Sequence, residues 1–110
     1  MDSANTAARD GEGYLLDPET WTQDLGAAIA QEEGLQLTDV TWSIINFMRG
    51  YWQEHQAAPD VRHVVAHLVE ALGMDKKSAK EQIFNSFPYG YVKQACKVSG
   101  MMRPRAWSTG

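Results

Sequence analysis

From Thr38 onward the chain carries its strongest helical signal: Val40, Ile44, Ile45, Met48, Tyr51 and Trp52 recur every three or four residues over about four turns. Thr38 and Asp39 supply the start. This stripe predicts a central helix, and shorter ones flank it. Asp17-Pro18-Glu19 reads as an earlier helix start, with Trp21, Leu25, Ala28 and Ile29 at helical spacing and Gly34 as the stop. Pro59-Asp60 opens a third helix, whose broad face is Val61, Val64, Val65, Leu68, Val69 and Leu72, with Gly73 ending it. Asp75 caps a fourth that turns Ala79, Ile83 and Phe87 inward until Pro88. Tyr91 to Ser99 is a short fifth, stopped by Gly100. The expected architecture is mostly α, a compact array of about five short helices. Gly13 to Leu16 is expected as a short strand or extended entry. Residues 1–12 read as a disordered N-terminal tail, 13–99 as a single helical domain, and 100–110 as an irregular C-terminal arm.

The 110 residues, 44% hydrophobic and 22% charged, suit one globular domain that builds a core without metals or staples. No stretch approaches the ~18 consecutive apolar residues of a membrane span, and Met1 to Arg9 has no apolar signal core. A cytoplasmic protein with no membrane association is expected. Cys96 is the single cysteine, which excludes an intrachain disulfide and a multi-cysteine zinc site. A monomer is expected, although a lone thiol leaves an intermolecular disulfide dimer open.

The net charge of −4 hides an asymmetry. Residues 1–73 hold three Lys/Arg against twelve Asp/Glu, whereas residues 74–110 hold seven against two. Past Glu81 there is no acid. The basic third is therefore suited to an anionic partner: nucleic acid, an acidic protein face or a small anion. The plainer reading is that the two halves neutralise each other in the fold.

Few constellations carry chemistry. His63 and His67 lie four apart, with Glu70 near, but no H-E-x-x-H surrounds them and no metal site is expected. The short Gly73-Met74-Asp75 link followed by Lys76, Lys77 and Lys80 resembles a helix-turn-helix corner with a basic second helix. Those lysines would contact phosphate, but only Gln82 and Asn85 offer base readout, and many helical domains contain such a corner. G-x-S-x-G, G-x-x-x-x-G-K-[ST] and G-x-G-x-x-G are all missing, so neither hydrolase chemistry nor a cofactor is expected. Trp21, Trp42, Phe47, Tyr51 and Trp52 fit packing better than a ligand box.

Cys96 remains. Lys93, Lys97, Arg103 and Arg105 are close in sequence and would favour a thiolate, while a position near a helix C-terminus disfavours an anion. The sign of the shift is open at this level. A lone cysteine beside Ala95 is as well suited to packing as to nucleophilic work.

The Gly13-Tyr14-Leu15 entry, the helix Trp42-Ser43-Ile44-Ile45-Asn46-Phe47-Met48-Arg49 with Tyr51, the start Ala58-Pro59-Asp60-Val61-Arg62, the turn Phe87-Pro88-Tyr89-Gly90, the motif Lys93-Gln94-Ala95-Cys96-Lys97, and Arg103-Pro104 together resemble the DsrC/TusE family. The resemblance covers about residues 13–105. It implies a small cytoplasmic sulfur-carrier protein: a helical array with a small N-terminal β-hairpin or meander and a C-terminal arm. Its implied partners are a dissimilatory sulfite reductase or the proteins of a tRNA-thiolating sulfur relay. Family carriers accept sulfur as a persulfide on a cysteine near the end of the arm, and the DsrC type adds a second cysteine, which Cys96 matches. Trp107 and Ser108 stand where the resemblance places the arm cysteine, and neither can hold sulfane sulfur. The resemblance thus implies a sulfur-metabolism protein acting by docking, with Lys93, Lys97, Arg103 and Arg105 meeting the partner. It is not expected to be an enzyme alone; any sulfur chemistry would fall to Cys96. The alternative is a DNA-binding paralogue using Lys76, Lys77 and Lys80.

Overall fold

In the computed structural model, which describes residues 8–102, the Asp17-Pro18-Glu19 signal makes a single 3₁₀ turn, Pro18–Thr20. Asp17 caps that turn through the Glu19 N–H as expected. Trp21 is then extended, and Thr22 caps a new helix, α1 (Gln23–Glu32). Trp21 therefore precedes the first α-helix instead of riding on it. Its indole is freed to lie across the domain, with Nε1 donating to the carbonyl of Val98 at 2.8 Å.

The next three helices follow their local signals. The Thr38 hydroxyl accepts from the Thr41 N–H and opens α2 (Asp39–His55). Asp60 caps α3 (Val61–Leu72), which ends on Gly73 in the left-handed region, and Asp75 caps α4 (Lys76–Ser86). Helices α3 and α4 pack on each other and both pack on α2. The expected helix-turn-helix-like corner is thus present. Leu72, assigned to the inner face of α3 by periodicity, is 45% exposed at the last position of the helix, next to the Gly73 cap. The fifth helix begins wide: Tyr91–Ala95 is π-helical, with the Cys96 N–H reaching back to the Tyr91 carbonyl, and it runs into α5 (Cys96–Val98).

Two apolar clusters form the core, and α2 and α5 contribute to both. Ile44 and Met48 face a cluster with Val64, Leu68, Ile83, Phe87 and Cys96. The neighbouring Ile45, about 100° further round the helix, faces a second cluster with Leu25, Ile29 and Val98. Ile44, Ile45 and Met48 are completely buried, each contributing about 1.5–3 kcal/mol.

The N-terminal hairpin or meander is not formed as strands. Only one antiparallel bridge, Arg9 to Leu15, is present among the described residues. Asp10 ties the intervening turn by accepting the Glu12 and Tyr14 N–H groups. Pro18 follows almost at once and has no N–H to extend a ladder. Arg9 and Asp10, placed in the tail by composition, are bonded into the domain, Arg9 through Glu32 at 2.8 Å. Residues 1–7 of that tail lie outside the described residues, as does the arm beyond Met102.

Candidate functional site

The π-helical turn and α5 bring the Lys93-Gln94-Ala95-Cys96-Lys97 motif under the rest of the domain. Cys96 is fully buried, with Tyr91, Ala95 and Met101 in the same cluster. Burial pushes its thiol up to about 12, because an anion there would lose its hydration. Lys93 points to solvent. Lys97 is drawn away to Glu33, with Nζ 3.1 Å from Oε2 and 5.3 Å from the centre of the Tyr14 ring. Of the cations expected around the sulfur, the two described ones, Lys93 and Lys97, are thus turned elsewhere. Arg103 and Arg105 lie outside the described residues.

Glu33, which the sequence did not single out, organises this region from the end of α1. Its second carboxylate oxygen accepts from Gln94 Nε2 at 3.3 Å, and Gln94 Oε1 in turn accepts the Tyr89 N–H at 3.0 Å. A buried Gln94 thereby fixes the turn before the π-helical segment. Tyr91, also buried, donates its hydroxyl proton to the Pro59 carbonyl at 2.6 Å, and burial holds its pKa well above the ordinary tyrosine value.

Arg49 is a second residue missed at the sequence level. Its guanidinium lies over Trp21 (4.8 Å to the ring centre) and Trp52 (5.4 Å), and donates to the carbonyls of Pro18 and Ser99. Partial burial lowers its pKa from the usual arginine value. Trp21 and Arg49 together hold the exit of α5. Gly100 then turns the chain at φ +79°, directly under the Trp21 indole, where a Cβ would collide with the ring. The Met101 N–H bonds back to the Cys96 carbonyl, so the root of the arm is fixed to the cysteine's own helix.

The remaining sequence candidates are spread out. Lys76, Lys77 and Lys80 are all exposed on α4. His67 packs on the Phe47 ring at 4.6 Å with Nε2 2.9 Å from the Ser43 hydroxyl, and His63 faces Tyr51. Among the described residues no three His, Cys, Asp or Glu side chains gather as metal ligands. No described helix is long and apolar enough to cross a membrane.

The family model described as DsrC like protein matches residues 3–106. The chain belongs to the DsrC-like family. A sulfurtransferase TusE homolog of Haemophilus influenzae is 40% identical over 95 residues, 86% of each chain. Two solved structures share the fold. The oxidized gamma-subunit of the dissimilatory sulfite reductase (DsrC) from Archaeoglobus fulgidus superimposes with a TM-score of 0.79 at 28% identity, over 91% of this chain and 90% of that one. Allochromatium vinosum DsrC superimposes with a TM-score of 0.77 at 36% identity, over 91% and 88%. This DsrC-like chain thus has the mostly helical fold of those proteins, and the family that the sequence motifs resemble is the one to which it belongs. These matches are named as a sulfurtransferase and as DsrC, and they do not favour the DNA-binding alternative.

Proposed function

We propose that this DsrC-like chain serves a cytoplasmic sulfur relay as a monomeric docking component, presenting its basic C-terminal third to sulfur-transfer or sulfite-reductase-like partners without carrying persulfide itself. The observation that carries this reading is the state of Cys96, the single thiol of the chain, fully buried with its pKa pushed up to about 12. Attack on a persulfide donor needs a thiolate within reach. A buried, protonated thiol meets neither requirement. Residues 101–110 contain no other cysteine, so none of them supplies a replacement. The names of the relatives, a sulfurtransferase and a sulfite reductase gamma-subunit, support the choice of partner class.

Lys76, Lys77, Lys80 and Lys93 are exposed, with no acidic partner in ion-pair range among the described residues. They leave the basic third available for an acidic face. Titration calorimetry against purified sulfur-relay proteins and sulfite reductase of the same organism tests the reading. Salt-sensitive binding that survives Cys96→Ser and weakens on Lys93→Glu is the expected result; no binding to any of them would contradict docking.

A further inference from the structure

Between α3, α4 and the turn into α5 lies an open groove of about 360 Å³. Val61, Val65, Ile83, Phe87 and Tyr91 make its floor and walls. Phe84 forms a lip and is 68% exposed. Nothing in the helix requires a phenylalanine at that point, because Ala79 and Ile83 already supply the inward face of α4, with Phe87 buried just past its end. An exposed aromatic beside a preformed apolar groove is the usual composition of an interaction site.

The charges around the groove narrow what fits. Arg62 and Lys80 line it, and Lys76 and Lys77 lie one turn from Lys80 on the same helix. Arg62 shares its charge with Asp60 at 3.4 Å. The three lysines have no acidic partner in ion-pair range among the described residues. A cationic rim around an apolar floor complements a segment that combines carboxylates with a large apolar side chain.

Deepening the docking reading on which it rests, we infer that the α3–α4 groove is the docking site for an acidic segment of a partner protein, anchored by one apolar side chain against Phe84 and Ile83. A polyanion such as nucleic acid would use the lysines but gain nothing from the apolar floor, and the chain's net charge of −4 opposes it. The groove also bears on Cys96. Tyr91 is both part of its wall and a member of the core cluster that contains Cys96, so a seated side chain would touch that cluster.

The test uses the whole protein and a labelled amphipathic peptide with glutamates on one face and leucine and phenylalanine on the other. Fluorescence anisotropy reads affinity, and amide chemical shifts locate the contact. Saturable binding is expected, with shifts at Val65, Ile83 and Phe87, and about a tenfold or greater loss with Phe84→Glu or with a peptide whose apolar residues are alanine. Phe84 is exposed, so the variant should keep the wild-type thermal midpoint; Lys80→Glu gives a second, independent loss. No binding by the wild type, or binding unchanged by both variants, would overturn the inference. An oligonucleotide that binds through Lys76, Lys77 and Lys80 and displaces the peptide would overturn it in favour of nucleic acid. If relay proteins bind wild type and Phe84→Glu equally, the groove assignment fails and docking stands. If the peptide binds in the groove while no relay protein binds, docking to that class fails and the groove stands.

Discussion

Glu33 and Lys97 meet at 3.1 Å across 64 positions of sequence, with side chains only 24% and 15% exposed. The same carboxylate holds Gln94, so one acid at the end of α1 sets the position of the whole segment that precedes and contains Cys96.

Removing that acid should be costly out of proportion to a surface ion pair. Glu33→Ala leaves an ammonium and a buried amide without their partner, and the expected loss is about 1–3 kcal/mol of unfolding free energy in urea. Glu33→Gln keeps an acceptor for Gln94 and should lose less.

Gly100 is expected to be intolerant for two independent reasons. Its φ of +79° disfavours any side chain, and a Cβ would strike Trp21. Gly100→Ala should cost about 2 kcal/mol or more, seen as a lower thermal midpoint together with a changed tryptophan emission. Trp21→Phe keeps an aromatic ring but deletes the donor to Val98, and should cost less.

The pH dependence of stability has a definite sign at Cys96. Its pKa is raised on folding, from an ordinary value of 9.0 to about 12, so the native state binds more protons than the unfolded state between those values. Its contribution is fully present below pH 9 and is lost as pH rises toward about 12. Cys96→Ala should therefore flatten the alkaline limb of stability relative to wild type in a pH series of urea melts.

His67 acts at the acid end. Burial is the main cause of its lowered pKa, ahead of the opposing influences of Ser43 and Glu70, so its contribution is present above the ordinary histidine value of 6.5 and fades as pH falls through the lowered one. His67→Gln should remove that slope, measured as a smaller loss of thermal midpoint between neutral pH and mild acid.

The sequence carried the parts of this molecule that are local. Thr38, Asp60 and Asp75 each cap the helix they open, because capping needs only a side-chain oxygen and N–H groups two or three residues on. Trp21 escaped because helical spacing continued through a residue whose indole instead reaches Val98, 77 positions away. The surroundings of Cys96 were illegible for a related reason. Lys97 is next to it in the chain, yet each step along a helix turns the side chain about 100°, and that turn sends Lys97 to Glu33 and Cys96 into the core. Motif resemblance nevertheless found the family, since residue identities along 13–105 survive where long-range contacts cannot be read.

Docking without sulfur carriage is tested most directly by the intact mass of the folded, reduced protein after exposure to a persulfide donor, with Cys96→Ser alongside. An unchanged mass is predicted for both proteins, with wild type gaining sulfur only when unfolded. Addition of one sulfur atom to the folded wild type and not to Cys96→Ser would contradict the account and make Cys96 a carrier.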